Sequence, residues 1–115
     1  MPGLTEIDLK QTVRRQVCAS GETIFYVTPA NQIGHVTSMH IDAAYASGLA
    51  SNIQLQVRDV YSPTGGSSST VTRYQTRIQA GDIVDLALPA IQCFGSIRVD
   101  ANLSGPIVSL GATFR

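Results

Sequence analysis

The chain has no tryptophan, two cysteines, two histidines and a single lysine, Lys10. Charged residues make up 14% of its 115 positions, against about 25% in an average soluble domain. Each shortage closes off a class of function. Acidic and basic residues balance to a formal charge of zero, so the chain lacks the positive field with which proteins approach nucleic-acid phosphates. Cys18 and Cys93 are far apart, with no CxxC pair and no histidine nearby, which argues against zinc. Buried free thiols are the first expectation, and a disulfide formed outside a reducing compartment is the alternative. No apolar run reaches the roughly 18 residues of a membrane helix. Residues 1–6 have neither the cationic nor the apolar part of a signal peptide. A soluble protein made in the cytoplasm, with no membrane partner, is the expectation.

Catalytic patterns are equally scarce. His35 and His40 are five positions apart on one expected strand, which in a regular strand sends them to opposite faces, where they cannot share an ion. Asp82 and Asp85 lack the ligand spacing of a calcium loop, and Asp82 reads as the turn residue after Gly81. Ser67, Ser68 and Ser69 lack the setting of a nucleophile elbow. Gly65 and Gly66 lack the lysine and helix of a phosphate loop. No catalytic residue, cofactor or metal ligand is expected, and the chain does not read as an enzyme.

What is present is period-two patterning. Apolar residues, 43% of the chain, recur at alternate positions in short runs separated by Gly, Pro, Ser and Asn. Such runs place one face of a strand inward and the other outward. Residues 12–19 read as an edge strand, with Arg14 and Arg15 discouraging further pairing. Residues 22–28 are dense in β-branched and aromatic side chains and form a strand. A third spans 33–42, with Met39 and Ile41 on one face and Val36, Ser38 and His40 on the other. Residues 53–59 point Ile53, Leu55 and Val57 inward. After a flexible tip at 62–69 the chain returns over 70–78, Thr70, Thr72, Tyr74, Thr76 and Ile78 sharing a face. A short strand at 83–88 ends at Pro89. The C-terminal segment reads as a β-hairpin, 96–101 and 107–114, on which the other strands assemble. Between strands, residues 43–52 form a loop around Tyr45 and Gly48.

The expected fold is all-β: a single antiparallel β-sandwich or jelly-roll-like barrel of about seven or eight strands. Residues 12–115 form this domain. Residues 1–11, which offer no helical stripe despite the cap-like Thr5–Asp8 segment, form an N-terminal arm. Seven arginines against one lysine is the bias of surfaces covered by partners, so much of the exterior is expected to face other subunits.

Four segments carry a resemblance: 22–30 (Glu22 to Ala30), 36–42 (Val36 to Asp42), 79–84 (Gln79 to Val84) and 95–101 (Gly95 to Ala101). Together they resemble small β-sandwich virion proteins of tailed bacteriophages. In those a tyrosine-x-valine-proline-alanine-glycine turn precedes a serine-isoleucine-histidine-isoleucine strand, and a glycine-aspartate turn precedes the last strands. This chain has Thr28 before Pro29 and Asn31 where glycine is usual. The resemblance implies a structural role in a virion, foremost a capsid decoration (cement) protein bound to the major capsid protein as a homo-oligomer, a trimer being the first expectation. A head, neck, tail or fibre component is the alternative within that class. It implies a site in the virion and no catalytic residues. The residues expected at interfaces are Leu4, Ile7 and Leu9 in the arm, Arg14 and Arg15 on the edge strand, and Tyr45 and Tyr61. A second reading, from the residues themselves, is a carbohydrate-binding module, in which Tyr26, Tyr45, Tyr61 and Tyr74 would stack on sugar rings.

Overall fold

Alternating burial is the rule that builds this chain. The computed structural model describes residues 12–44, 52–62 and 66–115, and among them there are eight strands: β1 (Thr12–Val17), β2 (Gly21–Val27), β3 (Gly34–Asp42), β4 (Ile53–Tyr61), β5 (Ser69–Ile78), β6 (Ile83–Cys93), β7 (Ser96–Ala101) and β8 (Ile107–Phe114). The arm, with Leu4, Ile7 and Leu9, lies outside the described residues, as do Tyr45 and the tip residues 63–65.

The strands form two antiparallel four-stranded sheets. One, here sheet A, has the order β1-β8-β3-β6, and the other, sheet B, has β2-β7-β4-β5. The pairs β1·β8, β2·β7, β3·β6 and β4·β5 are nested one inside the next. The chain therefore runs as one long folded-back ribbon wrapped around its own core, which is the jelly-roll arrangement. Only β4 and β5, consecutive in sequence, pair with each other; every other connection carries the chain from one sheet to the opposite one.

This corrects the reading of the C-terminal segment as a hairpin. β7 and β8 lie in different sheets, each at a central position with two neighbours. The physical reason is in the alternation itself. Ile97, Val99 and Ala101 on β7 and Val108, Leu110 and Ala112 on β8 are all at most 2% exposed, and a core between two sheets accepts both rows face to face. The turn is fastened to other elements instead of closing a hairpin: Asn102 N–H donates to Gln54 O at 3.2 Å, Gly105 N–H to Cys18 O at 2.9 Å and Cys18 N–H to Pro106 O at 2.8 Å. Each fully buried Val, Leu, Ile or Phe contributes roughly 1.5–3 kcal/mol, so these two strands are a large part of the favourable term.

Bulges account for the remaining differences from strict alternation. In β3, Val36 pairs with Ala112 and Ser38 with Gly111, which leaves Thr37 as an extra residue. The extra residue shifts the parity, so Val36 joins Met39 and Ile41 in the core, and His35 and His40 share the outer face instead of opposing ones. In β5 the extra residue is Arg73: Val57 pairs with Tyr74 and Arg58 with Thr72. Thr72 is thereby turned to the exposed side, away from Tyr74 and Ile78. In β2 the extra residue is Phe25, which buries both Phe25 and Tyr26. Pro89 does not end its strand. β6 continues through it to Cys93, with Leu88, Pro89 and Ala90 bulging opposite Thr37 and Ala90 at φ 51°. β6 is an edge strand, where a residue without an N–H disturbs no outer neighbour. Asn31, at the position where glycine is usual in the resembling proteins, has φ 66°; asparagine is among the few residues that enter this left-handed region readily.

The two sheets are also joined by polar groups. Tyr26 on β2 donates its hydroxyl to Leu110 O on β8 at 2.6 Å, and its ring meets Phe114 edge-on at 5.4 Å between centroids. Nearby, Thr28 is buried with its Oγ1 unpartnered. An unpaired buried hydroxyl carries its desolvation cost with nothing in return. Thr28→Val should raise stability by about 1 kcal/mol in urea unfolding, and a loss of stability would show that the hydroxyl has a partner.

Candidate functional site

The two outer faces differ in chemistry. On sheet B the outward charges of β2, β4 and β7 satisfy one another. Glu22 on β2 accepts from Arg98 on β7 at 2.9 Å and from Arg58 on β4 at 3.1 Å, and Arg58 reaches Asp100 at 3.3 Å. Arg58 is also held by Gln56 Oε1, at 2.7 Å and 3.1 Å. The hydrogen bond from Arg98, then that from Arg58, lowers the pKa of Glu22 below its ordinary value of 4.5. A carboxylate whose folded pKa is depressed stabilises the fold above its unfolded pKa and loses that contribution as pH falls toward the lower folded value. This network is therefore a modest, acid-sensitive brace across three strands.

Sheet A is different. Its pairing register defines three cross-strand rows on the outer face. Val17, Ile107, Asp42 and Ile83 form one row; Arg15, Ser109, His40 and Asp85 the next; Val13, Gly111, Ser38 and Ala87 the third. Val13 is 63% exposed, Val17 64% and Ile83 61%. The side-chain-free Gly111 and the small Ser38 and Ala87 leave a shallow depression of about 370 Å³ bordered by Val13, His40 and Asp85. His40 Nδ1 pairs with Asp85 Oδ1 in the middle row, Asp85 being 84% exposed. Exposed apolar side chains stand at both edges of the face, beside Arg15 on β1 and Asp85 on β6.

At one end of the sandwich a third arrangement was not anticipated. Asp59 is fully buried on β4. Its Oδ2 accepts from Arg73 at 2.9 Å and 3.3 Å and from Phe94 N–H at 2.9 Å, and its Oδ1 accepts from Gly95 N–H at 2.8 Å. The bulge in β5 at Arg73 accompanies this arrangement, in which the guanidinium reaches Asp59 from the neighbouring strand. That guanidinium lies 5.6 Å from the centre of the Tyr61 ring and 5.5 Å from that of Phe94. The two rings are 5.7 Å apart and border an open hollow of about 440 Å³ with Ser62 and Gly95. Asp59 follows Ile53, Leu55 and Val57 at the same period, so the alternation already assigned it to the inner face.

The expected interface residues separate. Arg15 faces outward in the middle row of sheet A, whereas its neighbour Arg14 stacks 5.6 Å from the centre of the Tyr26 ring. Tyr61 lies at the far end of β4 beside Phe94. The tyrosines do not form one sugar-stacking face, since Tyr26 is buried and Tyr74 packs against the core. Among the described residues no cluster of three or more His, Cys, Asp or Glu is placed to hold a metal, and no helix is long and apolar enough to cross a membrane. Asp82 caps its own turn, accepting from Gln79 N–H at 3.2 Å. Cys18 and Cys93 are both buried and unbridged; burial pushes their thiols up to about 11 and about 12, so both stay protonated and unreactive at neutral pH.

No family model matches the chain. No curated protein matches it in sequence. Among solved structures it is similar to a chain of the Bacillus endospore appendages, described as a novel family of disulfide-linked pili. The TM-score is 0.45 at 9% identity, with 90% of this chain and 84% of that chain covered. At that score and identity the likeness says nothing of what this chain does.

Proposed function

We propose that this chain is a virion structural protein, a decoration protein that coats the head of a tailed phage. The observation that supports this reading best is the outer face of sheet A, where Val13, Val17 and Ile83 are each more than 60% exposed. Exposed apolar side chains gathered on one sheet face are what an association surface offers, and the jelly roll is a fold shared by capsid and lectin domains. The fold by itself assigns no role; the uncovered face, the low charge and the resemblance of the turn segments point the same way. Seated across joints between copies of the major capsid protein, the domain would add buried area at those joints and so resist internal pressure. Its neutral, arginine-biased surface fits contact with other protein better than with nucleic acid.

Co-sedimentation with purified phage heads lacking this chain tests the reading. Saturable retention at fixed sites supports it, and failure to bind in any salt or pH condition ends it. A second reading, a carbohydrate-binding module, rests on the hollow beside Tyr61 and Phe94. It predicts glycan retention that is lost in Tyr61→Ala, with head binding absent.

A further inference from the structure

The three rows on sheet A are arranged so that the face complements itself. In the middle row the cationic Arg15 stands at the β1 edge and the anionic Asp85 at the β6 edge, with Ser109 and His40 between. A two-fold axis lying along the strand direction through the centre of the face reverses each row without shifting it. The sheet order β1-β8-β3-β6 then meets β6-β3-β8-β1 of a second copy. Under that operation Arg15 of each copy faces Asp85 of the other, Val17 faces Ile83, and Val13 faces Ala87. Gly111 faces Ser38, so the centre of the third row is made of the smallest side chains and lets the sheets approach. Asp42, opposite Ile107, lies in the row at the strand ends, where water reaches it.

From this we infer that the outer face of sheet A binds a second copy of this chain in a closed, two-fold pair, with Arg15 and Asp85 as the reciprocal charge contacts. A two-fold interface requires a patch that is complementary to itself. Apolar-to-apolar and cation-to-anion matching in all the edge positions is what one orientation of this face supplies. The other in-plane two-fold axis, perpendicular to the strands, keeps the order along each row and sets Arg15 against Arg15 and Asp85 against Asp85, a like-charge arrangement that disfavours it. Aligned packing of two twisted sheets is an ordinary geometry. In the pair Ser109 of the second copy faces His40 and Arg15 of the second copy faces Asp85, so Asp85 would be shared between His40 of its own chain and Arg15 of the other. The inference rests on the reading of this face as an association surface, and gives that surface its occupant.

The experiment is analytical ultracentrifugation of the full chain over a dilution series, with Arg15→Asp, Asp85→Arg and the double variant. Both side chains are exposed, so the fold is unaffected, which circular dichroism checks. The expected result is a wild-type dimer, at least tenfold weaker association in each single variant, and recovery to within about threefold in the double variant, because each reversal places like charges in contact and the second restores opposite ones. A monomer at every concentration, a trimer, indifference to the single reversals, or a double variant no better than the singles would each overturn the inference. Head binding measured on the same samples separates the two ideas. A dimer that ignores phage heads overturns the virion reading and leaves the pair intact; a monomer that binds heads does the reverse.

Discussion

Asp59→Ala should lower the unfolding free energy by about 3–5 kcal/mol, the range seen when one partner of a buried ion pair is removed. The carboxylate is the common acceptor for Arg73 and for the N–H groups of Phe94 and Gly95. Its removal leaves two backbone donors without a partner, each costing about 1–3 kcal/mol. Arg73 is partly exposed, its side chain retaining 23% of its accessible area, and can recover some hydration, which sets the figure below the sum of its parts. Asp59→Asn, which keeps an acceptor oxygen but not the charge, should lose roughly half as much. Urea unfolding by circular dichroism reads both. A loss below about 1 kcal/mol for Asp59→Ala would mean that the carboxylate does not organise this end of the sandwich.

Gly95→Ala is expected to cost about as much, near 4 kcal/mol, by a different route. A Cβ at Gly95 would lie 2.1 Å from Val60 O and 2.7 Å from Tyr61 Cβ, so backbone must move. The same residue donates to Asp59 and accepts from Thr28 N–H at 3.0 Å, which ties the displaced segment to β4 and to the end of β2. Gly81→Ala is the control. Gly81 has φ +97° but open space where its Cβ would be, so only conformational strain of about 1–2 kcal/mol applies. Equal losses at the two glycines would contradict the close approach at Gly95. Because Asp59 and Gly95 share a hydrogen bond, the double variant should lose less than the sum of the two.

Most of the strands were legible from alternation, because a sandwich buries one face of every strand and period two is the direct record of that burial. Ile53, Leu55 and Val57, Ile97 and Val99, and Val108 and Leu110 all point inward as their spacing requires. Partner choice was not legible. The residues of β7 and β8 read equally well as a hairpin or as two strands facing each other across the core, since both place the same side chains inward. The long-range hydrogen bonds at Asn102 and Gly105, which decide between them, leave no local pattern. Bulges were invisible for a related reason: Thr37, Phe25 and Arg73 are extra residues only relative to a partner strand that the sequence does not name. One unrecognised residue at Thr37 was enough to put Val36 on the wrong face and to separate two histidines that share one.

The Asp59 arrangement was half legible. The carboxylate falls on the inner face by simple counting, and a charge there requires partners. Those partners come from β5 and from the turn after β6, and only the fold brings them together. The outer face of sheet A shows the same division. Val13, Arg15 and Val17 alternate visibly on one strand, but their alignment with Ala87, Asp85 and Ile83 depends on three pairings that pass through β8 and β3.

The measurement that bears most directly on the account is head co-sedimentation of the variant Val17→Glu/Ile83→Glu beside the unaltered protein, with thermal unfolding recorded for both. Both side chains are more than 60% exposed, so replacing them leaves the core intact, while each places a charge in the apolar row of sheet A. The account predicts an unchanged melting temperature and, because heads are held by the two-fold pair that sheet A joins, retention on heads reduced at least tenfold. Full retention by the variant would show that heads are held without sheet A.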